Sequence, residues 1–129
     1  MKTNLAVPNA ILFIVDPTNT AAIVPEYVLG EATAATRSCI SVATIADVDG
    51  EVTVRLCAPS DDVARSTPVR VFAGSVDTPG HILAIVTSDF DRVLEISTPT
   101  VVTRIVIRVD DVQLSAHVSV DIEPATHSG

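Results

Sequence analysis

The sequence predicts an all-β fold, a two-layer antiparallel β-sandwich of about eight strands, on three observations. Hydrophobic residues make up 47% of the 129-residue chain, yet aromatics are only 3% and Trp is absent. The apolar content is therefore branched aliphatic, which suits a pleated, half-buried surface. Short apolar runs alternate with turn-forming Pro, Gly, Asp and Asn, and no long stretch keeps the helical period. Two runs, Ala10 to Val15 and His81 to Thr87, are apolar on both faces. Strands of that kind are covered on both sides, which calls for two packed layers. The length suits one domain, expected over residues 1–123, followed by a disordered tail over 124–129.

The elements follow in chain order. Ala10 to Val15 reads as a central strand ended by Asp16-Pro17-Thr18-Asn19. Pro25 then opens Glu26 to Ala35, where Pro followed by Glu is a helix-start pattern. A short helix is expected there, with Gly30 arguing for a turn instead. Ser38 to Ala46 and Glu51 to Ala58 read as a hairpin around Asp47-Val48-Asp49-Gly50, placing Val42 opposite Leu56 and Thr44 opposite Val54. Cys39 and Cys57 then sit diagonally on the other face, and the expected state is two reduced, packed thiols. Pro59 to Thr67 is a polar loop carrying Asp61, Asp62 and Arg65. Pro68 to Ala73, His81 to Thr87 and Arg92 to Ser97 are strands separated by turns at Gly74 to Gly80 and Ser88 to Asp91.

The stretch Thr100 to Glu123 carries the clearest alternation, with Val112, Leu114, Ala116, Val118, Val120 and Ile122 at every other position. A two-residue turn at Asp110-Asp111 would set Val109 opposite Val112, Ile107 opposite Leu114 and Ile105 opposite Ala116. Arg108 would face Gln113, and Arg104 would face His117. Val102 and Val106 make the outer face of this hairpin partly apolar, so it is a place to expect an interface, including one between copies in a homo-oligomer.

Charge narrows the function classes. Acidic residues outnumber basic ones 16 to 8, for a formal charge of −8. Such a surface repels nucleic acid and favours a basic protein partner. No apolar run is long enough to span a membrane, and the start lacks a signal-peptide pattern, so the cytoplasm is the expected compartment. Arg55, Arg70, Arg104 and Arg108 fall on the polar side of predicted strands. They read either as cross-strand partners of acidic neighbours or as a contact surface for an acidic partner.

Catalytic chemistry is not indicated. His81, His117 and His127 sit in no nucleophile motif, and no Gly-x-Ser-x-Gly elbow is present. Asp47-x-Asp49-x-Glu51 and Asp89-x-Asp91 place oxygen donors at alternating positions, which allows a calcium or small-molecule module as an alternative. Gly50 stands at the wrong offset for a calcium loop, and Asp is ordinary turn chemistry. No metal site, cofactor or phosphate loop is expected. Phe72, beside Arg70, is the aromatic that alternation allows off the core face, either as an anchor for a partner or covered by a second layer.

Several segments resemble the competence-protein-J-like family, over roughly Ile11 to Asp121. They are the strand ending at Asp16-Pro17, Glu26-Tyr27-Val28-Leu29-Gly30, the run Ser38 to Thr44, and Asp49 to Leu56. The family pattern has a Trp near the Tyr27 segment and a Pro-x-Gly-x-Tyr-like step before a late strand. This chain has no Trp, and Ile96 to Val101 lacks the Gly and the Tyr. The resemblance implies a small all-β protein of a kind linked to inhibition of a DNA-entry nuclease, and it transfers no functional residue.

The expected function is therefore a non-enzymatic acidic interaction domain, an inhibitor of a basic partner such as a nuclease. Asp47, Asp49, Asp61, Asp62, Asp89 and Asp91, with Phe72, are the candidate contact residues. Self-assembly as a structural subunit is a further alternative.

Overall fold

The computed structural model describes residues 1–26, 28, 30–59 and 67–124. Ten strands form among them: β1 Lys2–Leu5, β2 Ile11–Val15, β3 Thr33–Ala35, β4 Cys39–Ala43, β5 Val52–Cys57, β6 Val69–Asp77, β7 Ile82–Thr87, β8 Arg92–Ser97, β9 Val102–Val109 and β10 His117–Ile122. They make two five-stranded sheets, one in the order β1-β5-β10-β9-β6 and the other β3-β4-β2-β7-β8. The all-β sandwich read from the sequence is the observed architecture.

Both two-sided apolar runs sit centrally, as their patterning requires. In β2, Leu12 and Ile14 point into the main core against Val54, Leu56, Ile105, Ile107 and Val120, while Phe13 and Val15 join Cys39, Ala84 and Val86 in a second cluster on the outside of their sheet. Each aliphatic side chain fully withdrawn from water stabilises the fold by about 1.5–3 kcal/mol before entropy is counted.

The expected inventory needs correction at five places. The strands number ten rather than about eight, because β1 and β3 are short edge strands without strong alternation. Instead of the short helix at 26–35, the described residues show a turn and then β3. Gly30 adopts a φ of 86°, and the Glu31 N–H donates to the Val28 carbonyl at 3.2 Å. A left-handed residue at that point is incompatible with a helix running on from Pro25.

The proposed hairpin of β4 and β5 is absent. β4 lies in one sheet and β5 in the other, joined by a single 3-10 turn at Asp47–Asp49. β5 instead runs parallel to β10, so the sandwich is not wholly antiparallel. Alternation reports which face a residue takes, and both arrangements bury Val52, Val54 and Leu56 equally well.

The last hairpin forms with its register displaced. Val118 pairs with Val109, Val120 with Ile107 and Ile122 with Ile105. Residues Asp110 to Ala116 form the connecting loop, and Val112 and Leu114 are 44% and 67% exposed. The displacement is an even number of residues, so the same side chains face the core, as the pleat demands. Asp110 and Asp111 build the loop. One Asp110 oxygen accepts the N–H groups of Ala116 and His117, each at 3.0 Å, and one Asp111 oxygen accepts those of Gln113 at 2.8 Å and Leu114 at 3.0 Å.

The fifth correction concerns β6, which runs on to Asp77 through the turn expected to begin at Gly74, and which carries a register shift between Arg70 and Phe72. The extra residue, Val71, breaks the alternation, so Phe72 packs against the main core beside Val69 and Val71. Its ring occupies the space a Cβ on Gly74 would need, 2.9 Å from that position. Phe72 is therefore not the exposed anchor that strict alternation allowed.

Candidate protein-binding surface

The acidic turns meet at one end of the sandwich. Asn9 donates through Nδ2 to the Ser88 hydroxyl at 2.7 Å, which ties the Pro8–Ala10 turn to the β7–β8 turn carrying Asp89 and Asp91. The Thr44 N–H reaches the Ala10 carbonyl at 2.9 Å, so the end of β4 and the following Asp47–Asp49 turn lie beside the same corner. Ile45 donates to the Ser115 carbonyl at 3.0 Å, and the Ser115 hydroxyl bonds the Asp111 carbonyl, which brings in the β9–β10 loop. Asp47, Asp49, Glu51, Asp89, Asp91 and Asp111 are all exposed at this end, and Asp110 is half-buried.

Each turn is built so that its carboxylates point outward or serve the backbone. In the β7–β8 turn, the Thr87 hydroxyl accepts the N–H groups of Asp89 and Asp91, each at 3.3 Å, leaving both carboxylates in solvent. In the loop, the two backbone hydrogen bonds to Asp111, the larger from Leu114, hold its carboxyl below the usual carboxylate range. Charge on that group is thereby favoured.

Two of the turns share a pattern that the sequence reading passed over. Asp47-Val48-Asp49 and Asp89-Phe90-Asp91 each place an apolar side chain between two aspartates, with Val48 88% and Phe90 67% exposed. Phe90 is held at a φ of 62°, an unusual conformation for an aromatic residue. It borders a groove of about 320 Å³ on the outer face of the second sheet, with Phe13, Val15, Val86 and Arg92. An apolar anchor rimmed by charge is the usual make-up of a protein contact. The available signal was an aromatic between two turn-forming aspartates. Of the other candidates, Asp61 and Asp62 lie outside the described residues.

No enzyme-like constellation forms among the described residues. His81 sits in an exposed turn with Nδ1 3.1 Å from the Thr98 carbonyl, while His117 opens β10 half-buried. His127 lies outside the described residues. No group of three or more His, Cys, Asp and Glu among them is arranged to hold a metal ion, so Asp47, Asp49 and Glu51 do not converge as a calcium site would require.

The cysteines are both free and buried, but on opposite sides of the molecule. Cys39 lies in the outer cluster of the second sheet, where burial pushes its thiol up to about 12. Cys57 lies on the outer face of the first sheet near Ser119, and burial, then Asp121, raises its pKa as well.

A solved structure is similar over nearly the whole chain. It is ComJ of Bacillus subtilis, an inhibitor of the DNA degrading activity of NucA, with a TM-score of 0.70 over 97% of this chain and 96% of that one. The two share the fold. Their sequences are only 12% identical, so the likeness is one of architecture. It agrees with the family resemblance carried by the Asp16-Pro17 strand end and the Ser38 to Thr44 run. No protein-family model matches the chain, and no curated protein matches it.

Proposed function

We propose that this protein is a non-enzymatic interaction domain that holds a basic protein partner, such as a nuclease, inactive. The observation that carries this reading is the gathering of the Asp47–Asp49, Asp89–Asp91 and Asp110–Asp111 turns at one end, with Val48 and Phe90 projecting between carboxylates. A row of carboxylates offers a basic, phosphate-binding surface the same charge as its substrate, and the apolar tips add contacts that nucleic acid lacks. The shared fold with an inhibitor of NucA supports the inhibitor class. Two buried, unbonded thiols support a reducing compartment, the cytoplasm.

The test is degradation of DNA by NucA with and without the protein, at rising salt. Inhibition that weakens with salt, and that is lost when Asp47, Asp49, Asp89 and Asp91 are all changed to Asn, is expected. Absence of inhibition removes the inhibitor reading. Inhibition that survives the four substitutions removes the acidic end as its contact.

A further inference from the structure

The outer face of the first sheet carries the opposite charge, in one register row. Lys2 on β1 pairs directly with Arg55 on β5, Arg55 with Ser119 on β10, Ser119 with Arg108 on β9, and Arg108 with Arg70 on β6. Four of the five strands thus place a cation in a single line, about 19 Å long at the usual strand spacing. Two of the direct pairs, Lys2 with Arg55 and Arg70 with Arg108, set like charges opposite each other. Directly opposed like charges are destabilising in a sheet, whereas opposite charges are favourable.

Of these cations, Arg108 pairs with Asp121, which lies in the neighbouring row. Lys2, Arg55 and Arg70 have no ion pair among the described residues. Ser119, at the centre of the row, is fully buried, while Lys2 and Arg70 at its two ends are exposed. A groove of about 440 Å³ is lined by Arg70 and Arg108, by the carboxylates of Asp121 and Glu123, and by Cys57 and Val106. Three of the row's four cations, Lys2, Arg55 and Arg70, thus share one face without a carboxylate partner among the described residues, a local cost without a folding return.

We propose that this row docks an acidic polypeptide segment, with carboxylates of the partner taken by Arg70 at one end and by Lys2 and Arg55 at the other. Arginine forks bind carboxylates through paired hydrogen bonds. The groove floor is aliphatic and sulfur, suited to small apolar side chains between the acids, and it offers no aromatic platform for stacked bases. The acidic end and the net charge of −8 oppose an extended polyanion such as duplex DNA. This surface is separate from the acidic end, and the two stand or fall independently.

The experiment measures fluorescence anisotropy of a short labelled poly-glutamate peptide titrated with the full chain. Wild-type protein is expected to bind it with an affinity that falls as salt rises. Arg55→Gln together with Arg70→Gln is expected to weaken binding by about tenfold or more. Arg92→Gln, on the other sheet, and Asp89→Asn are expected to leave it unweakened. Arg70→Glu serves as the folding control, since it converts a like-charge pair into an opposite one. It is expected to raise the thermal midpoint while abolishing binding. Failure of the wild type to bind, equal binding by the double variant, or tighter binding of a single-stranded oligonucleotide of the same charge overturns the proposal.

Discussion

The buried carboxylate of Asp16 accepts the backbone N–H of Gly80 at 2.6 Å, joining two turns 64 residues apart. Its other oxygen accepts the N–H and the hydroxyl of Thr18, at 2.8 and 2.7 Å. The contact closes the end of the sandwich opposite the acidic turns, and Gly80 is needed there because a Cβ would lie 1.9 Å from the Thr18 hydroxyl oxygen. Replacing Asp16 by Ala removes three hydrogen bonds accepted by a buried carboxylate and is expected to cost about 1–3 kcal/mol. Urea denaturation checks this, and a midpoint unchanged from wild type would show the contact to be incidental.

Register in the last hairpin makes a second prediction. Ile107 and Val120 oppose each other in the core, whereas Leu114 lies in the loop. Ile107→Ala is expected to cost about 2–5 kcal/mol. Leu114→Ser is expected to stay within about 0.5 kcal/mol of wild type. A large loss at Leu114 would restore the longer strand that alternation suggested.

Alkaline stability follows from Cys39. Its thiol is raised from 9.0 to about 12 in the folded protein, so the folded state keeps a proton that the unfolded chain releases. The contribution is complete below pH 9 and declines as pH rises toward 12, by about 1.4 kcal/mol per unit at most. Denaturant midpoints against pH should fall less steeply in Cys39→Ala. Parallel slopes in the two proteins would assign the alkaline loss elsewhere.

Thiol chemistry offers a related check. Because Cys39 and Cys57 face outward from different sheets, no disulfide is expected on mild oxidation of the native protein. Mass spectrometry after oxidation decides, and an intramolecular bond formed without unfolding would contradict the topology.

Gly74 tests the turned-in aromatic. A Cβ there meets the Phe72 ring at 2.9 Å, so Gly74→Ala is expected to cost about 1–3 kcal/mol. Combining it with Phe72→Leu should recover part of that loss if the ring is the obstacle.

Much of the fold was legible without coordinates. The aliphatic composition, the two-sided runs of β2 and β7 and the one-sided run ending at Ile122 state the class, the layers and the inward faces, because alternation directly records which side of a pleat is dry. The acidic turns were legible too, since Asp is both turn chemistry and charge. What alternation does not encode is the partner of a strand. β4 and β5 satisfy their buried faces in different sheets, β10 slides along β9 without exposing a core residue, and a single bulge at Val71 turns Phe72 inward. Those choices depend on packing between residues far apart in sequence. Only the tertiary structure could collect three separate turns into one acidic end, or line up Lys2, Arg55, Arg108 and Arg70 across strands drawn from four parts of the chain.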